Sequence, residues 1–180
     1  MTPRLTRDNA LLFVCDAQTR LLPAMHEAAK LERNLKMLAQ LARLLPLPVV
    51  VSEQNPAKIG GTVSSVAAAL GEFAPVEKMR FSAWPDARGA IEQSGRVTVL
   101  LCGLEAHICV AQTALDLLDQ GFTVFAVYDA IGARQPSNCQ IGWQRMTSAG
   151  ALASSTEAAI YELLGAAGTD EFRAMLKAVK

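Results

Sequence analysis

The stretch VTVLLCGLEAHICVAQTALDLLDQG, residues 97–121, decides the fold. It opens as an unbroken apolar run, 97–103, and continues as a helix. A run apolar at every position belongs to a strand covered on both faces, as in a parallel sheet under helices. Ile108, Ala111, Leu115 and Leu118 then recur at three- and four-residue steps, which predicts a helix, with Gly121 as its stop. Cys109 falls at the start of that helix, about one turn in.

Working outward, ALLFVCD (10–16), LPVVVSE (47–53) and FTVFAVYDA (122–130) repeat the apolar-run plan, and APVEK (74–78) is a shorter version. Between them Leu31, Leu35, Leu38, Ala42 and Leu45 form a helical stripe that Pro46 ends. Further helices are expected at about 137–149, 156–164 and 170–178, with Ser155 or Thr156 capping the second and Thr169 the third. Residues 54–71 read as a loop followed by a small-residue helix, and FSAWPDARG (81–89) as a connection with local turns. Strands alternating with helices define an α/β layered domain.

The bulk properties are consistent with that plan. A chain of 180 residues is expected to be one domain, residues 1–180, burying roughly 70% of its unfolded surface. Apolar residues make up 51% and charged residues 19%, the balance of a core-rich globular protein with some surface hidden in a subunit interface. The 17 basic and 17 acidic residues cancel, and no basic cluster offers a track for a phosphate backbone. Nucleic acid is therefore not the expected partner. No apolar run reaches membrane-spanning length, so no membrane is expected either. The leader MTPRLTRDN meets the first strand at once, leaving no room for a removable targeting peptide. Cys15, Cys102, Cys109 and Cys139 contain no CxxC pair, which reads as a reduced, cytoplasmic protein.

In an open parallel sheet, ligands bind beyond the carboxyl ends of the strands. Asp16, Glu53, Lys78 and Asp129 close four of the runs, and Cys109 follows another. The positive end of a helix and a nearby Lys78 would both favour a thiolate at Cys109. Asp16 could serve as general base and proton donor to a leaving group. Backbone N–H groups from Glu105 to Cys109 could hold an oxyanion. Gln18, Glu53, Phe81, Trp84 and His107 are candidate pocket residues. Each residue also has a plainer reading: Cys109 as core, Asp16 as a turn cap, Lys78 as surface, His107 as a surface hydrogen-bonding group, and Phe81 and Trp84 as loop anchors.

Other chemistries lack their signatures. There is no GxGxxG after the first strand, no GxxxxGK[ST], no GxSxG and no HExxH. His26 and His107 alone do not supply a zinc set, so neither metal nor organic cofactor is expected.

With LLFVCDAQ, VVVSEQ, VEKMRFSAW, LLCGLEAHICVAQTALDLLDQG and YDAIGAR in view, the chain resembles the isochorismatase-like, or cysteine hydrolase, superfamily. It is most similar there to the isochorismatase domain-containing branch. The resemblance implies a three-layer α/β/α fold of Rossmann-like topology, with a mostly parallel, six-stranded sheet. It also implies a triad of Asp16 as base, Lys78 as support for the thiolate and Cys109 as nucleophile, and a cis peptide at Leu104–Glu105. By the same resemblance, Gln18 and Phe81 match recurring pocket-side positions, His107 falls in a variable place, and the protein is a homo-oligomer of two or more copies.

Two departures narrow the activity. SEQNPAKIGG (52–61) has no histidine where the family's nicotinamidases bind metal, and Cys109 is present where isochorismatases proper lack a nucleophilic cysteine. The expectation is a metal-independent hydrolase of a small amide, carbamoyl or related C–N compound, acting through a thioester-type intermediate. The alternatives are non-covalent hydrolysis of an ester or vinyl ether, and a catalytically silent small-ligand binding or assembly protein.

Overall fold

The structure, a computed structural model, describes residues 2–179. Six strands form one sheet: β1 (Ala10–Cys15), β2 (Val49–Gln54), β3 (Val76–Lys78), β4 (Thr98–Leu104), β5 (Thr123–Gly132) and β6 (Leu152–Ser154). Their order is β3-β2-β1-β4-β5-β6, and every neighbouring pair is parallel. The chain winds outward from β1 to β3, then returns to the centre at β4 and winds the other way. The β1–β4 boundary is therefore the topological switch point, where a crevice opens beyond the strand ends.

Helices cover both faces. One layer holds α1 (Ala28–Leu44), α3 (Ser64–Leu70), α7 (Thr156–Leu164) and α8 (Asp170–Val179). The other holds α4 (Trp84–Gln93), α5 (Ala111–Asp119) and α6 (Pro136–Ser148). The short α2 (Pro56–Ile59) lies in the loop after β2. Along β1 the period of two divides the core: Leu12 and Val14 face the α1 layer, while Leu11, Phe13 and Cys15 face the α5 layer. All six β1 residues are buried, which is why its sequence shows no polar alternation. Each fully buried leucine or phenylalanine stabilises this core by about 1.5–3 kcal/mol.

The fold agrees with the three-layer expectation and refines several local readings. FSAWPDARG is not merely a connection: α4 begins at Trp84, with Pro85 in its first turn, where a missing N–H costs nothing. β5 runs three residues past Asp129, so Asp129 lies within the strand. Its Oδ1 accepts from the N–H and hydroxyl of Thr156, capping α7. The sixth strand, β6, is three residues long, too short to show a pattern. The face of α5 is also shifted: Val110, Ala114 and Leu117 are fully buried, while Leu115 and Leu118 are half-buried. A π-helical turn at Ala106–Val110 precedes α5, and its wider winding rotates the apolar stripe out of the phase that 3.6-residue spacing predicts.

Two glycines allow close approaches at the switch point. Gly103 has φ +119°, and a Cβ there would collide with the Cys15 carbonyl on β1. Gly142 on α6 lets that helix lie against the π turn; a Cβ would stand 2.5 Å from the Ala106 oxygen and 2.7 Å from the His107 nitrogen.

Candidate active site

The switch point brings together Asp16, just after β1, Lys78, at the end of β3, and Cys109, in the π turn after β4. Asp16 takes φ +49°, a left-handed conformation that aspartate tolerates better than most residues, as the chain leaves the strand. Lys78 Nζ lies 2.7 Å from Asp16 Oδ2, with both side chains wholly buried. The second carboxylate oxygen, Oδ1, accepts from Ser52 Oγ at 2.7 Å. Lys78 Nζ also reaches Gln54 Oε1 at 2.9 Å, the Phe81 carbonyl at 3.1 Å and the Arg80 carbonyl at 3.2 Å. A buried charge needs such partners, because desolvation otherwise costs several kcal/mol.

Electrostatics link the third member to this pair. The Cys109 thiol is pushed up to about 12, first by burial and next by the Asp16 charge, while Lys78 pulls it down. Asp16 and Lys78 both act on the Cys109 thiol electrostatically, so the three groups neighbour one another. Lys78 favours the thiolate, as expected, but Cys109 is only 7% exposed and lost hydration outweighs the ammonium, which favours the thiol. Burial draws the Lys78 pKa down, yet its neighbours Cys15, Asp16 and Cys109 together raise it above an ordinary lysine. Burial holds the Cys15 thiol well above its usual value too.

The turn that carries Cys109 is firmly set. The Leu104–Glu105 peptide is cis, as the resemblance implies. The Glu105 carbonyl accepts from the Ile108 and Val110 N–H groups. Its carboxylate, largely buried, pairs with Arg134 Nε at 3.1 Å, fixing the turn from the side of β5.

The five candidate pocket residues sit differently. Gln18 is fully buried, and its amide is engaged by backbone: Nε2 donates to the Gln54 and Gly60 carbonyls, and Oε1 accepts from Gln54 N–H. Glu53 Oε1 accepts from the Thr62 N–H and hydroxyl, each at 2.7 Å. Both residues therefore hold the 54–62 segment beside Asp16 and Lys78. Trp84 is core, edge-on to Phe122 with centroids 5.5 Å apart. The Phe81 ring is 55% exposed, while its carbonyl serves Lys78. His107 is half-buried, and its Nδ1 is enclosed without a hydrogen-bond partner among the described residues.

Sequence reasoning passed over Ser52 and Gln54. Ser52 carried a usable signal: a hydroxyl inside a buried strand requires a partner. A surface cavity of about 400 Å³ reaches Lys78 from the side of Asn55, Met79, Arg80 and Asp86. Another, about 220 Å³, lies between α1 and α6 beside β5 and is lined by none of Asp16, Lys78 and Cys109. No group of three or more His, Cys, Asp or Glu able to hold a metal ion exists among the described residues.

This switch-point arrangement on a 3-2-1-4-5-6 sheet is that of an isochorismatase-type α/β/α protein. The isochorismatase domain family matches residues 10–158, and the chain belongs to it. The chain is 35% identical to the secreted isochorismatase effector Isc1 of Phytophthora sojae, over 98% of this chain and 87% of that one. It is 34% identical to isochorismatase domain-containing protein 2 of Pongo abelii, over 98% and 86%. Among solved structures, the MAR1 ribonuclease of Caenorhabditis elegans superposes with TM-score 0.92 at 32% identity, covering 98% of this chain and 92% of that one. YcaC of Pseudomonas aeruginosa, solved with hexane-2,5-diol and covalent acrylamide, gives TM-score 0.92 at 26% identity, covering 99% and 92%.

Proposed function

We propose that this protein is a metal-independent cysteine hydrolase that cleaves a small amide, carbamoyl or related C–N substrate through a thioester on Cys109. The observation that carries the reading is the sealed Asp16–Lys78 pair acting on the Cys109 thiol. The same Asp16 charge that holds the proton on sulfur makes Asp16 the group to receive it. As the sulfur bonds to the substrate carbonyl carbon, its proton passes to Asp16, and the oxyanion is met by N–H groups of Glu105 and Cys109. The first N–H groups of a helical turn lack intrahelical partners, which suits them to that task. The C–N bond then breaks, and the amine leaves with the proton from Asp16. Water, deprotonated by Asp16, cleaves the thioester to release acid and restore the thiol. Lys78 remains charged throughout, orients Asp16 and favours its return to the carboxylate after each proton transfer.

Covalent acrylamide in the Pseudomonas aeruginosa structure supports a reactive nucleophile in this fold, and the absence of a ligand cluster among the described residues supports metal-free chemistry. The Caenorhabditis elegans relative is described as a ribonuclease; the balanced charge of this chain, 17 against 17, favours a small uncharged substrate over a polyanion. Exposed Tyr128, packed edge-on to Trp143, and exposed Ile141 fit burial against a second copy in a homo-oligomer.

The test is turnover of a panel of small amides, ureides, esters and vinyl ethers by the wild type and Cys109→Ala. Loss of C–N hydrolysis in the variant supports the covalent route. Retained turnover, through Asp16 and Lys78 alone, would establish the non-covalent one. No turnover by either protein, with tight binding of a panel member, would establish a binding protein.

A further inference from the structure

The segment after β3 wraps the Lys78 ammonium with two backbone carbonyls, those of Arg80 and Phe81. Its own side chains do little to anchor it, since Met79 is 70% exposed and Phe81 55% exposed. One anchor is Gln54 on β2, whose Nε2 donates to the Met79 carbonyl at 2.9 Å; the others come from α5. Ser82 Oγ donates to Asp116 Oδ2 at 2.6 Å, and the Ala83 N–H donates to Thr113 Oγ1 at 2.9 Å. Thr113 is wholly buried. Thr113 and Asp116 are three residues apart on α5 and share one helical face, and α5 follows directly on the π turn that carries Cys109. The helix that continues from the thiol's turn also fastens the loop that holds the lysine.

We infer that Asp116, acting through Ser82, is a positioning residue for Lys78: it sets the ammonium against the Asp16 carboxylate and the Cys109 sulfur. The assignment rests on the hydrolase reading above. Its logic is mechanical. The carbonyls of Arg80 and Phe81 satisfy Lys78 only while residues 79–83 stay closed, and the Ser82–Asp116 bond is the side-chain link between that segment and the nucleophile's helix. Once it is cut, the ammonium keeps Asp16 Oδ2 and Gln54 Oε1 but loses the fixed Arg80 and Phe81 carbonyls, and so shifts relative to Asp16 and Cys109. A misplacement of about 1 Å at a catalytic constellation costs on the order of 10²-fold in rate. Thr113 supports the same segment through backbone and makes the closure on α5 a two-point attachment.

The experiment compares Asp116→Ala, Ser82→Ala, the double variant and Asp116→Asn with wild type, and uses Asp119→Ala on the exposed end of α5 as a charge control. Two readouts are taken: kcat and KM on a C–N substrate from the panel, and the ¹H–¹⁵N signal of the Lys78 ammonium, assigned by its loss in Lys78→Arg. Asp116→Ala and Ser82→Ala should each lower kcat by about 10- to 100-fold with KM changed by less than about threefold. The double variant should be no worse than the weaker single, because both cut one link. The protected Lys78 signal should broaden or vanish in these variants. Asp116→Asn keeps an oxygen for the Ser82 hydroxyl and should recover most of kcat and the signal, while Asp119→Ala should behave as wild type. A folded Asp116→Ala with wild-type kcat and an unchanged Lys78 signal would overturn the inference, as would Asp116→Asn failing as badly as alanine. Should Asp116→Ala not fold, Ser82→Ala removes the same bond from the loop side and decides the question. If wild type turns over no substrate, the hydrolase reading falls while the Lys78 signal still tests the positioning.

Discussion

Lys78 Nζ donates to Asp16 Oδ2 at 2.7 Å inside a site where neither side chain touches solvent. Such a pair is poor evidence of stability for its own sake, since well-packed apolar residues often serve as well, but breaking it strands a buried charge. Gln54 and the Arg80 and Phe81 carbonyls take up the remaining donors of Lys78, and Ser52 donates to the other Asp16 oxygen.

The first prediction follows from that asymmetry. Lys78→Met should destabilise the protein by about 3–5 kcal/mol, because Asp16 is left charged and buried. Asp16→Leu combined with Lys78→Met should regain much of that loss and remain inactive. Urea denaturation of the three proteins, with turnover alongside, checks both halves.

Alkaline pH tests the thiol. In the folded protein Cys109 is raised from its ordinary 9.0 to about 12, so the folded state holds its proton more tightly than the unfolded chain. The contribution is complete below pH 9 and is lost as pH climbs through the window from 9 to about 12, by at most about 1.4 kcal/mol per pH unit. Cys109→Ala should lose stability less steeply than wild type across the accessible part of that window, while the two curves run parallel from pH 6 to 8.

Glycine substitutions probe the frame. Gly103→Ala places a Cβ against the Cys15 carbonyl at φ +119° and should cost more than about 2 kcal/mol, the range of core overpacking and backbone strain. Gly142→Val wedges α6 away from the Ala106–His107 backbone, displacing the turn that bears Cys109. Activity should fall by about 10-fold or more although Gly142 lies outside the reacting groups.

Chelation gives a separate check on the chemistry. Turnover should be unchanged, within error, after prolonged EDTA treatment and buffer exchange, because the proposed route takes its base from Asp16 and its nucleophile from Cys109. A rate that falls with chelator and returns with one divalent metal would refute the metal-free route.

Much of this organisation is written locally in the sequence. Continuous apolar runs reveal strands buried on both faces, and Asp16 and Lys78 stand at the ends of two of them, where a doubly wound sheet opens its crevice. What is not local is harder to read. The Ser82–Asp116 bond joins residues 34 apart and has no spacing signature. The π turn before α5 shifts a helical stripe that regular periodicity would place elsewhere. FSAWPDARG contains a proline and a glycine that suggest a connection, yet Trp84, Ala87 and Ile91 bury one helical face against the sheet. The thiol's protonation depends on burial, a property of the whole fold, and for that reason helix-end and lysine arguments alone point to a thiolate.

The central claim is a bond between Cys109 sulfur and substrate carbon, and mass spectrometry of acid-quenched enzyme during turnover tests it most directly. The account predicts an acyl or carbamoyl mass on the Cys109 peptide alone, with Cys15, Cys102 and Cys139 unmodified, and no adduct or turnover in Cys109→Ala. Sustained C–N hydrolysis by Cys109→Ala would contradict it.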